Sequence, residues 1–193
     1  MRIIELSQGS SEWHEHRSRY IGASEISAVL GLSPWKKPHE LFLEKTGQLK
    51  ETISASKQEL FDKGHALEKI AREKYELQTL KKFPPMVILN DKYPYFSASL
   101  DGLSDDKELI EIKMVGLDDF LNVLLGEKIP DKYLPQVMLQ MLLAEVDQMT
   151  FIGINHSTQE IASMTVNKDS EFICNMIVEA EIFWDKVLKG KWE

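Results

Sequence analysis

Residues 95–115 read YFSASLDGLSDDKELIEIKMV, and the prediction of the fold starts from their pattern. Its two ends, 95–101 and 108–115, are rich in apolar residues and predict strands, and the GLSDDK segment between them predicts a hairpin-like turn. Because side chains alternate along a strand, Ile110, Ile112 and Met114 share one apolar face, while the opposite face carries Glu111 and Lys113. The sheet is therefore expected to present a carboxylate and an ammonium group two residues apart.

The rest of the chain places helices before and after these strands. Further strands are predicted over 86–90, 149–155 and 160–167, and helices over 9–20, 24–30, 38–46, 56–79, 131–146 and 168–189. This order predicts an α/β (α+β) fold, a central mixed β-sheet flanked by helices. We expect one domain over 1–193, with a helical part at about 1–50, a core at about 56–167 and a C-terminal helix at about 168–189.

Composition excludes several classes of protein. The chain has 193 residues, of which 43% are hydrophobic and 28% charged, which excludes a disordered or fibrous protein. It has no apolar run of about 18 residues, so we expect no membrane span, and its first residues lack an apolar signal-peptide core, so we expect a cytoplasmic protein. The single Cys174 excludes an internal disulfide, and its apolar helical surroundings predict a buried thiol.

The net charge of −8 does not decide the class of partner. Residues 1–100 carry a net charge of +2 and residues 101–193 a net charge of −10. Taken alone, an acidic chain disfavours a polyanionic partner. However, carboxylates clustered around divalent cations also make a chain acidic, and the bound metal reverses the local field.

Asp101 ends one predicted strand, and a hairpin would bring it close to Glu111 on the next strand. Two carboxylates in one pocket repel each other, and a shared proton or a cation relieves that repulsion. Two alternatives remain open. Asp101 can be an ordinary turn residue, since Asp-Gly is a common turn pair, and Glu111 can form an ion pair with Lys113 on a solvated sheet surface.

A third acid lies on the long predicted helix. Glu68 occupies a stripe of apolar or small residues at helical spacing, which comprises Phe61, Gly64, Ala71 and Tyr75. An acid on a core-facing stripe is costly unless it is paired or binds a metal. In the alternative reading the helix is rotated, and Glu68 pairs with Lys69 or Arg72 at the rim.

Three carboxylates and one lysine indicate a hard cation, Mg²⁺ or Mn²⁺, and metal-assisted hydrolysis of a phosphodiester. In that chemistry Lys113 would orient the attacking water or stabilise the charge that develops on phosphorus. Gln136 and Gln140 share a helix face, and Gln136 could fix a water or a phosphate oxygen beside the metal.

The N-terminal quarter offers contacts for an anion. Trp13 and Arg17 share a helix face, and Ser24 lies at the start of the next predicted helix, where free N–H groups attract phosphate. Together these residues could hold a terminal phosphate. The alternative is that Trp13 belongs to the core and that Arg17 pairs with Glu12 or Glu15.

Five stretches, in this order, resemble the lambda-exonuclease-like (YqaJ-type viral recombinase) nucleases of the PD-(D/E)xK superfamily. They are SSEWHEHRSRYIGASEISAVLGLSPWKKPHELFLEKTG from residue 10, KGHALEKIAREKYE from residue 63, SASLDG from residue 97, IEIK from residue 110 and YLPQVMLQ from residue 133. The resemblance implies the restriction-endonuclease-like core of that superfamily.

The resemblance also assigns roles to residues. It implies that Asp101, Glu111 and the backbone carbonyl of Ile112 are metal ligands, and that Lys113 is the catalytic lysine. By the same resemblance Glu68 is the helix acid that completes the site and Gln136 the glutamine beside it. Arg17, and with it Ser24, match positions that bind the 5′ phosphate.

The implied function is Mg²⁺-dependent digestion of one strand of linear double-stranded DNA from its 5′ end, in a phage or prophage recombination system. A ring-shaped homotrimer and a single-strand annealing protein are the implied partners. Other readings are a RecB-type nuclease or an endonuclease that uses the same metal, and a non-catalytic DNA-binding module on the same fold. In a purely structural reading, all three acids form ordinary salt bridges.

Overall fold

The computed structural model describes residues 1–50 and 54–193, apart from the side chain of Lys57. Its strands are β1 (Arg2–Ile4), β2 (Ile21–Gly22), β3 (Met86–Leu89), β4 (Phe96–Leu100), β5 (Gly102–Leu103), β6 (Leu109–Val115), β7 (Gln148–Asn155) and β8 (Ile161–Asn167). Its α-helices are α1 (Ser11–Ser18), α2 (Ile26–Val29), α3 (Pro38–Lys45), α4 (Ala55–Thr79), α5 (Leu117–Leu124), α6 (Leu134–Ala144) and α7 (Ser170–Lys189). Short 3₁₀ turns cover Ala23–Glu25 and Asp131–Tyr133.

The strands form two mixed sheets of four strands each. The first has the order β1-β3-β4-β2, in which only β2 and β4 run parallel, and the second has the order β5-β6-β7-β8, in which only β6 and β7 do. Helices pack against both sheets, so the predicted class of mixed sheet flanked by helices is confirmed. The strands are shared between two sheets because the chain leaves the first sheet at the end of β4.

This change of sheet corrects the predicted hairpin. The strands at 96–100 and 109–115 do not pair with each other; instead the short β5 pairs with β6, with Gly102 opposite Ile110. A Cβ atom on Gly102 would lie 2.6 Å from Phe83 Cβ and 2.8 Å from the Phe83 carbonyl oxygen, so only glycine fits here. Asp101 is the single residue between β4 and β5.

The two faces of β6 meet different layers, as the alternation predicted. Ile110 and Ile112 pack in a cluster with Leu67, Ala71 and Tyr75 of α4. The opposite face carries Leu109, Glu111, Lys113 and Val115, and its apolar members join the main core with α6. The site face therefore lies between β6 and α6. In α4, the half that begins at Leu67 packs closely, while Leu60 and Phe61 are exposed.

Several elements differ from the prediction. The predicted helix at 24–30 begins as a 3₁₀ turn and is helical only over Ile26–Val29. The predicted helix at 131–146 is a 3₁₀ turn followed by α6, and Pro135 lies in the first turn of α6, where its missing N–H is tolerated. Helix α5 was not predicted.

The N-terminal part is not purely helical, because β1 pairs with β3 and β2 pairs with β4. The prediction of a buried thiol was wrong, since Cys174 is exposed. Its neighbour Ile173 faces the core, and one step along α7 turns Cys174 towards solvent. In the described part of the chain, no helix combines the length and the apolar character that crossing a bilayer requires.

Candidate metal and phosphate site

Asp101 and Glu111 are brought together by the passage of the chain from β4 to β5. Asp101 is buried, and its Oδ2 accepts a hydrogen bond from the backbone N–H of Ile112 at 2.8 Å. This bond holds the Asp101 carboxylate against the backbone of β6, next to Glu111, which precedes Ile112 in the strand. Asp101 is therefore more than a turn residue, because its carboxylate contacts the strand that carries Glu111 and Lys113.

Glu111 is fully buried, at 0% exposure, and charge-stabilising donors surround it. Its Oε1 accepts from Gln136 Nε2 at 2.5 Å, and its Oε2 accepts from Gln140 Nε2 at 2.6 Å. Lys113 forms an ion pair with the same carboxylate. The alternative of an ion pair on a solvated sheet surface is therefore wrong.

The buried carboxylates of the site repel one another, and this repulsion contributes to their raised pKa values. Burial and the negative charge of Asp101 raise the pKa of Glu111 to about 7. Burial, with the charge of Glu68 in addition, raises the pKa of Asp101 to about 6, against the opposing effect of Lys113. Burial lowers the pKa of Lys113, but Glu111 and Asp101 outweigh it, so that this pKa lies above its usual value. The ammonium group is charged, and the acids lack sufficient positive charge around them.

Glu68 stands at the edge of this cluster. It forms an ion pair with Arg72 one helical turn later, which is the alternative partner considered from the sequence. Burial raises the pKa of Glu68, and the charge of Glu111 adds to the shift, so its carboxylate lies within electrostatic range of the strand acids. Among residues 1–50 and 54–193, no three His, Cys, Asp or Glu side chains are grouped closely enough to hold a metal ion.

The donor set nevertheless fits a hard cation. Asp101 and Glu111 supply carboxylate oxygens, and the N–H of Ile112 points towards Asp101. Since the N–H and C=O groups of a strand residue face the same side, the Ile112 carbonyl faces that edge too. An all-oxygen set with raised carboxyl pKa values matches the preference of Mg²⁺ and Mn²⁺. Completion of the set by Glu68 would require the Glu68–Arg72 pair to open.

The three predicted phosphate contacts lie together. The Arg17 guanidinium lies 4.7 Å from the centre of the Trp13 ring, and its Nη2 donates to Ser24 Oγ at 3.3 Å. Arg17 is paired with Glu25 at 3.3 Å, and neither Glu12 nor Glu15 is its partner. Ser24 lies in the 3₁₀ turn and not at the start of a regular helix, which corrects the predicted position.

A direct connection joins this N-terminal cluster to the acids. Trp13 Nε1 donates to Ser99 Oγ at 2.9 Å, and Ser99 lies two residues before Asp101 on the same chain segment. Gln140 Nε2 also lies 3.4 Å from the Ser99 carbonyl oxygen. The phosphate contacts and the carboxylate pair therefore share β4 as their support.

Some residues of the site were missed from the sequence. Glu25 is largely buried between Arg17 and Lys45, whose Nζ lies 2.7 Å from it, and Glu25 also accepts from the Gly22 N–H at 2.8 Å. Glycine has no side chain that could complete a capping box with Glu25, so no motif in the sequence marked this residue. Gln140 was noted as a helix neighbour of Gln136, but its direct bond to Glu111 was not predicted.

Comparison with solved structures defines the class of fold. The chain superposes on the alkaline exonuclease LHK-Exo from Laribacter hongkongensis with a TM-score of 0.77 and 21% sequence identity, over 94% of each chain. It superposes on a phage-related exonuclease from Haemophilus somnus 129PT with a TM-score of 0.62 and 13% identity, over 89% of this chain and 96% of that one. At these identities the likeness concerns the fold.

The sequence comparisons identify the family. Residues 12–147 match the YqaJ-like viral recombinase domain, and the chain belongs to that family, which confirms the resemblance of its motifs. It is 32% identical over 186 residues to the uncharacterized protein YqaJ of Bacillus subtilis (strain 168), and 25% identical over 165 residues to the uncharacterized protein R354 of Acanthamoeba polyphaga mimivirus. These matches cover 93% and 78% of this chain, but only 57% and 30% of those two relatives.

Proposed function

We propose that this chain is a Mg²⁺-dependent deoxyribonuclease that hydrolyses one strand of linear double-stranded DNA from its 5′ end. The observation that carries the proposal is the buried Asp101–Glu111 pair, with raised pKa values and an ammonium group bonded to it. Membership of the YqaJ-like family and the fold shared with two proteins described as exonucleases support the same reaction class.

The residues of the site have different roles in the proposed hydrolysis. Asp101, Glu111 and the Ile112 carbonyl would hold Mg²⁺, with Glu68 as a further ligand. When bound, the ion supplies Lewis-acid polarisation of the scissile phosphate and activation of a water molecule. Lys113 keeps its positive charge in this pocket, so it can orient the attacking water or stabilise negative charge on phosphorus as the 3′ oxygen leaves.

The helix glutamines position the carboxylate. Gln136 and Gln140 hold both oxygens of Glu111, which fixes its orientation before substrate binds. Such preorganisation removes the need to reorganise polar groups during the reaction. Gln136 is only partly buried, so we propose that it also contacts a phosphate oxygen of the substrate.

The polarity of digestion rests on the N-terminal cluster. Arg17 and Ser24 present donors that suit a terminal phosphate, and the guanidinium also lies over the Trp13 ring. Because Trp13 is bonded to Ser99, a phosphate held here would lie on the same support as Asp101. The ring-shaped trimer, the single-strand annealing partner, the cytoplasmic location and the phage or prophage origin remain predictions from the resemblance.

A labelled DNA duplex tests the reaction. Linear duplex carrying a labelled 5′ phosphate should release nucleotides in Mg²⁺ and release none in EDTA. Release from the 3′ end would contradict the polarity, cutting of covalently closed circles would favour the endonuclease reading, and binding without release would favour the non-catalytic module.

The Lys113→Ala variant tests the mechanism. It should lower the rate of release by a factor of about 10² or more, in line with loss of a positioned electrostatic stabiliser. Lys189→Ala is the matched control, because Lys189 is an exposed residue of α7 whose partner is Asp185. Near-normal release by the Lys113 variant would remove this lysine from the catalytic machinery.

A further inference from the structure

Two aromatic rings and two lysines form a continuous series that leads from the candidate catalytic lysine to the surface. Lys113 Nζ lies 5.5 Å from the centre of the Tyr133 ring. Lys132 Nζ lies 5.1 Å from the same ring and 5.6 Å from the centre of the Trp35 ring, and the two ring centres are 6.3 Å apart. We call this series, Lys113–Tyr133–Lys132–Trp35, the aromatic ladder.

The inner end of the aromatic ladder is anchored. Tyr133 ends the 3₁₀ turn that leads into α6, the helix whose glutamines bind Glu111, and its ring stacks on the fully buried Phe151 at 6.0 Å. The position of this ring relative to the carboxylates is therefore set by the core. A rigid aromatic face next to a reacting group is suited to positioning a flat ligand.

The outer end of the aromatic ladder is open. The Trp35 side chain is 68% exposed, on the loop between α2 and α3, and its backbone N–H is held by Ser33 Oγ at 3.2 Å. The two rings are inclined by only 31°. A tryptophan face held towards solvent beside another aromatic ring is an available stacking surface.

The charge on the aromatic ladder selects the ligand. Lys132 lies against both rings, and its acidic neighbour Asp119 is 4.0 Å away, at the limit of an ion pair. Lys37, two residues after Trp35, is also exposed. Aromatic faces interleaved with cations are the combination that binds single-stranded nucleic acid, through base stacking and phosphate contacts.

We propose that Trp35 and Tyr133 form a stacking platform for an unpaired nucleobase next to the scissile bond, with Lys132 on a neighbouring phosphate. This proposal rests on the proposed function. A strand must leave its duplex to reach carboxylates as deeply buried as Asp101 and Glu111. Unpairing and unstacking a base is unfavourable, and stacking on the aromatic ladder would offset part of that loss.

The test is binding of a short fluorescent single-stranded oligonucleotide to the full chain in EDTA, where no cleavage occurs. Trp35→Ala should weaken binding by about 5- to 150-fold, the range that corresponds to the loss of one stacking aromatic. Trp35→Phe keeps a ring and should recover most of the affinity. Leu188→Ala, which removes a side chain of α7 that is 72% exposed, should leave the affinity unchanged.

The outcomes separate this proposal from the proposed function. If the wild-type chain digests duplex DNA but Trp35→Ala binds the oligonucleotide normally, or if the wild-type chain does not bind it, the platform is overturned and the nuclease stands. If Trp35→Ala instead changes only the oligomeric state in sedimentation, the exposed ring belongs to a protein interface and the platform is again overturned. Absence of both binding and digestion overturns both proposals.

Discussion

Burial of Glu111 is electrostatically unfavourable, and its neighbours only partly compensate. Gln136, Gln140 and Lys113 all approach the carboxylate, yet burial and Asp101 still raise its pKa to about 7. A buried acid whose pKa stays raised despite three donors is still poorly stabilised in its deprotonated form, and further positive charge nearby would stabilise it. The remaining stabilisation is what a divalent cation would provide.

Arg17 is the residue on which the proposed preference for phosphorylated ends would depend. Arg17→Ala should weaken the preference for 5′-phosphorylated over 5′-hydroxyl DNA ends by about tenfold or more, because a hydrogen bond to a charged group contributes about 1.5–3 kcal/mol. The measurement is the ratio of initial rates on the two substrates.

Arg19→Ala is the matched control for this prediction. Arg19 follows α1 and pairs with Glu15 at the surface. Its removal should leave the ratio of rates unchanged. An unchanged ratio in the Arg17 variant would place the phosphate contact elsewhere on the chain.

Gly102 is the residue that allows β4 to continue into β5. Gly102→Ala would force its Cβ against Phe83 and should lower the free energy of unfolding by about 1–3 kcal/mol, as overpacking does. Urea unfolding followed by circular dichroism measures the change.

Gly64→Ala provides the opposite expectation. Gly64 lies inside α4, and a Cβ atom there would meet no described atom within 4 Å beyond the backbone of its own helix. Alanine should therefore raise the free energy of unfolding by about 0.5–1 kcal/mol through its higher helix propensity. If Gly102→Ala raised the free energy of unfolding, as Gly64→Ala is expected to do, the close contact with Phe83 would not determine the effect of a Cβ atom at Gly102.

At the scale of elements, the strand β6 was predictable and the position of α4 was not. Alternation along 108–115 placed Glu111 and Lys113 on one face and the isoleucines on the other, since each strand residue has only two possible faces. A helix can rotate continuously about its axis, so the stripe around Glu68 fixed its inward side only approximately. Ala71 and Tyr75 face the core as expected, but Glu68 pairs with Arg72.

The sequence prediction missed the short strands for a different reason. Strands β1 and β2 have three and two residues, too few for a periodic pattern, and they exist because β3 and β4 offer partners distant in sequence. The passage between sheets at Asp101 likewise depends on packing of Gly102 against Phe83. The residues of the candidate site could be predicted from local sequence, whereas their exact partners depended on tertiary contacts.

The α4 ion pair makes a prediction about metal binding. Arg72→Gln should tighten Mn²⁺ binding by about fivefold, because it frees Glu68 from a partner and removes a positive charge that repels the ion; breaking such a pair is worth about 1 kcal/mol. Isothermal titration calorimetry measures the affinity.

Lys69→Gln is the control within the same helix. Lys69 is exposed on α4 and was the other candidate partner of Glu68, but it forms no ion pair with Glu68 in the structure. Its removal should leave Mn²⁺ affinity unchanged. Equal affinities for the Arg72 variant and the wild-type chain would exclude Glu68 as a ligand.

At the scale of the whole molecule, the site draws on both halves of an unevenly charged chain. Residues 1–100, with a net charge of +2, supply Arg17 and Glu68, while residues 101–193, with a net charge of −10, supply Glu111 and Lys113. The acids are thus held together by folding and are separated in the unfolded chain. Proton uptake at the site is therefore coupled to global stability, and the proposed metal binding would be coupled to it as well.

The direction of this coupling follows from the raised pKa values. Between the ordinary carboxyl range near pH 4 and the folded values of about 6 for Asp101 and about 7 for Glu111, the folded state binds more protons than the unfolded state. The contribution of these two groups to the free energy of unfolding therefore decreases as pH rises through that window. The proposed cation would bind the deprotonated acids, so its stabilising effect should increase over the same range.

Thermal unfolding with and without Mn²⁺ tests this coupling in the intact chain. The increase in Tm caused by Mn²⁺ should be small near pH 5.5 and larger near pH 8, because protons compete for the same carboxylates at the lower pH. Taking the difference at each pH cancels groups that titrate independently of the metal, such as His16, whose pKa is lowered by burial. Potassium at matched ionic strength controls for screening of the surface charges. An increase in Tm that is the same at both pH values would mean that the ion binds elsewhere, since the raised carboxyl pKa values of Asp101 and Glu111 make metal and protons compete near neutral pH.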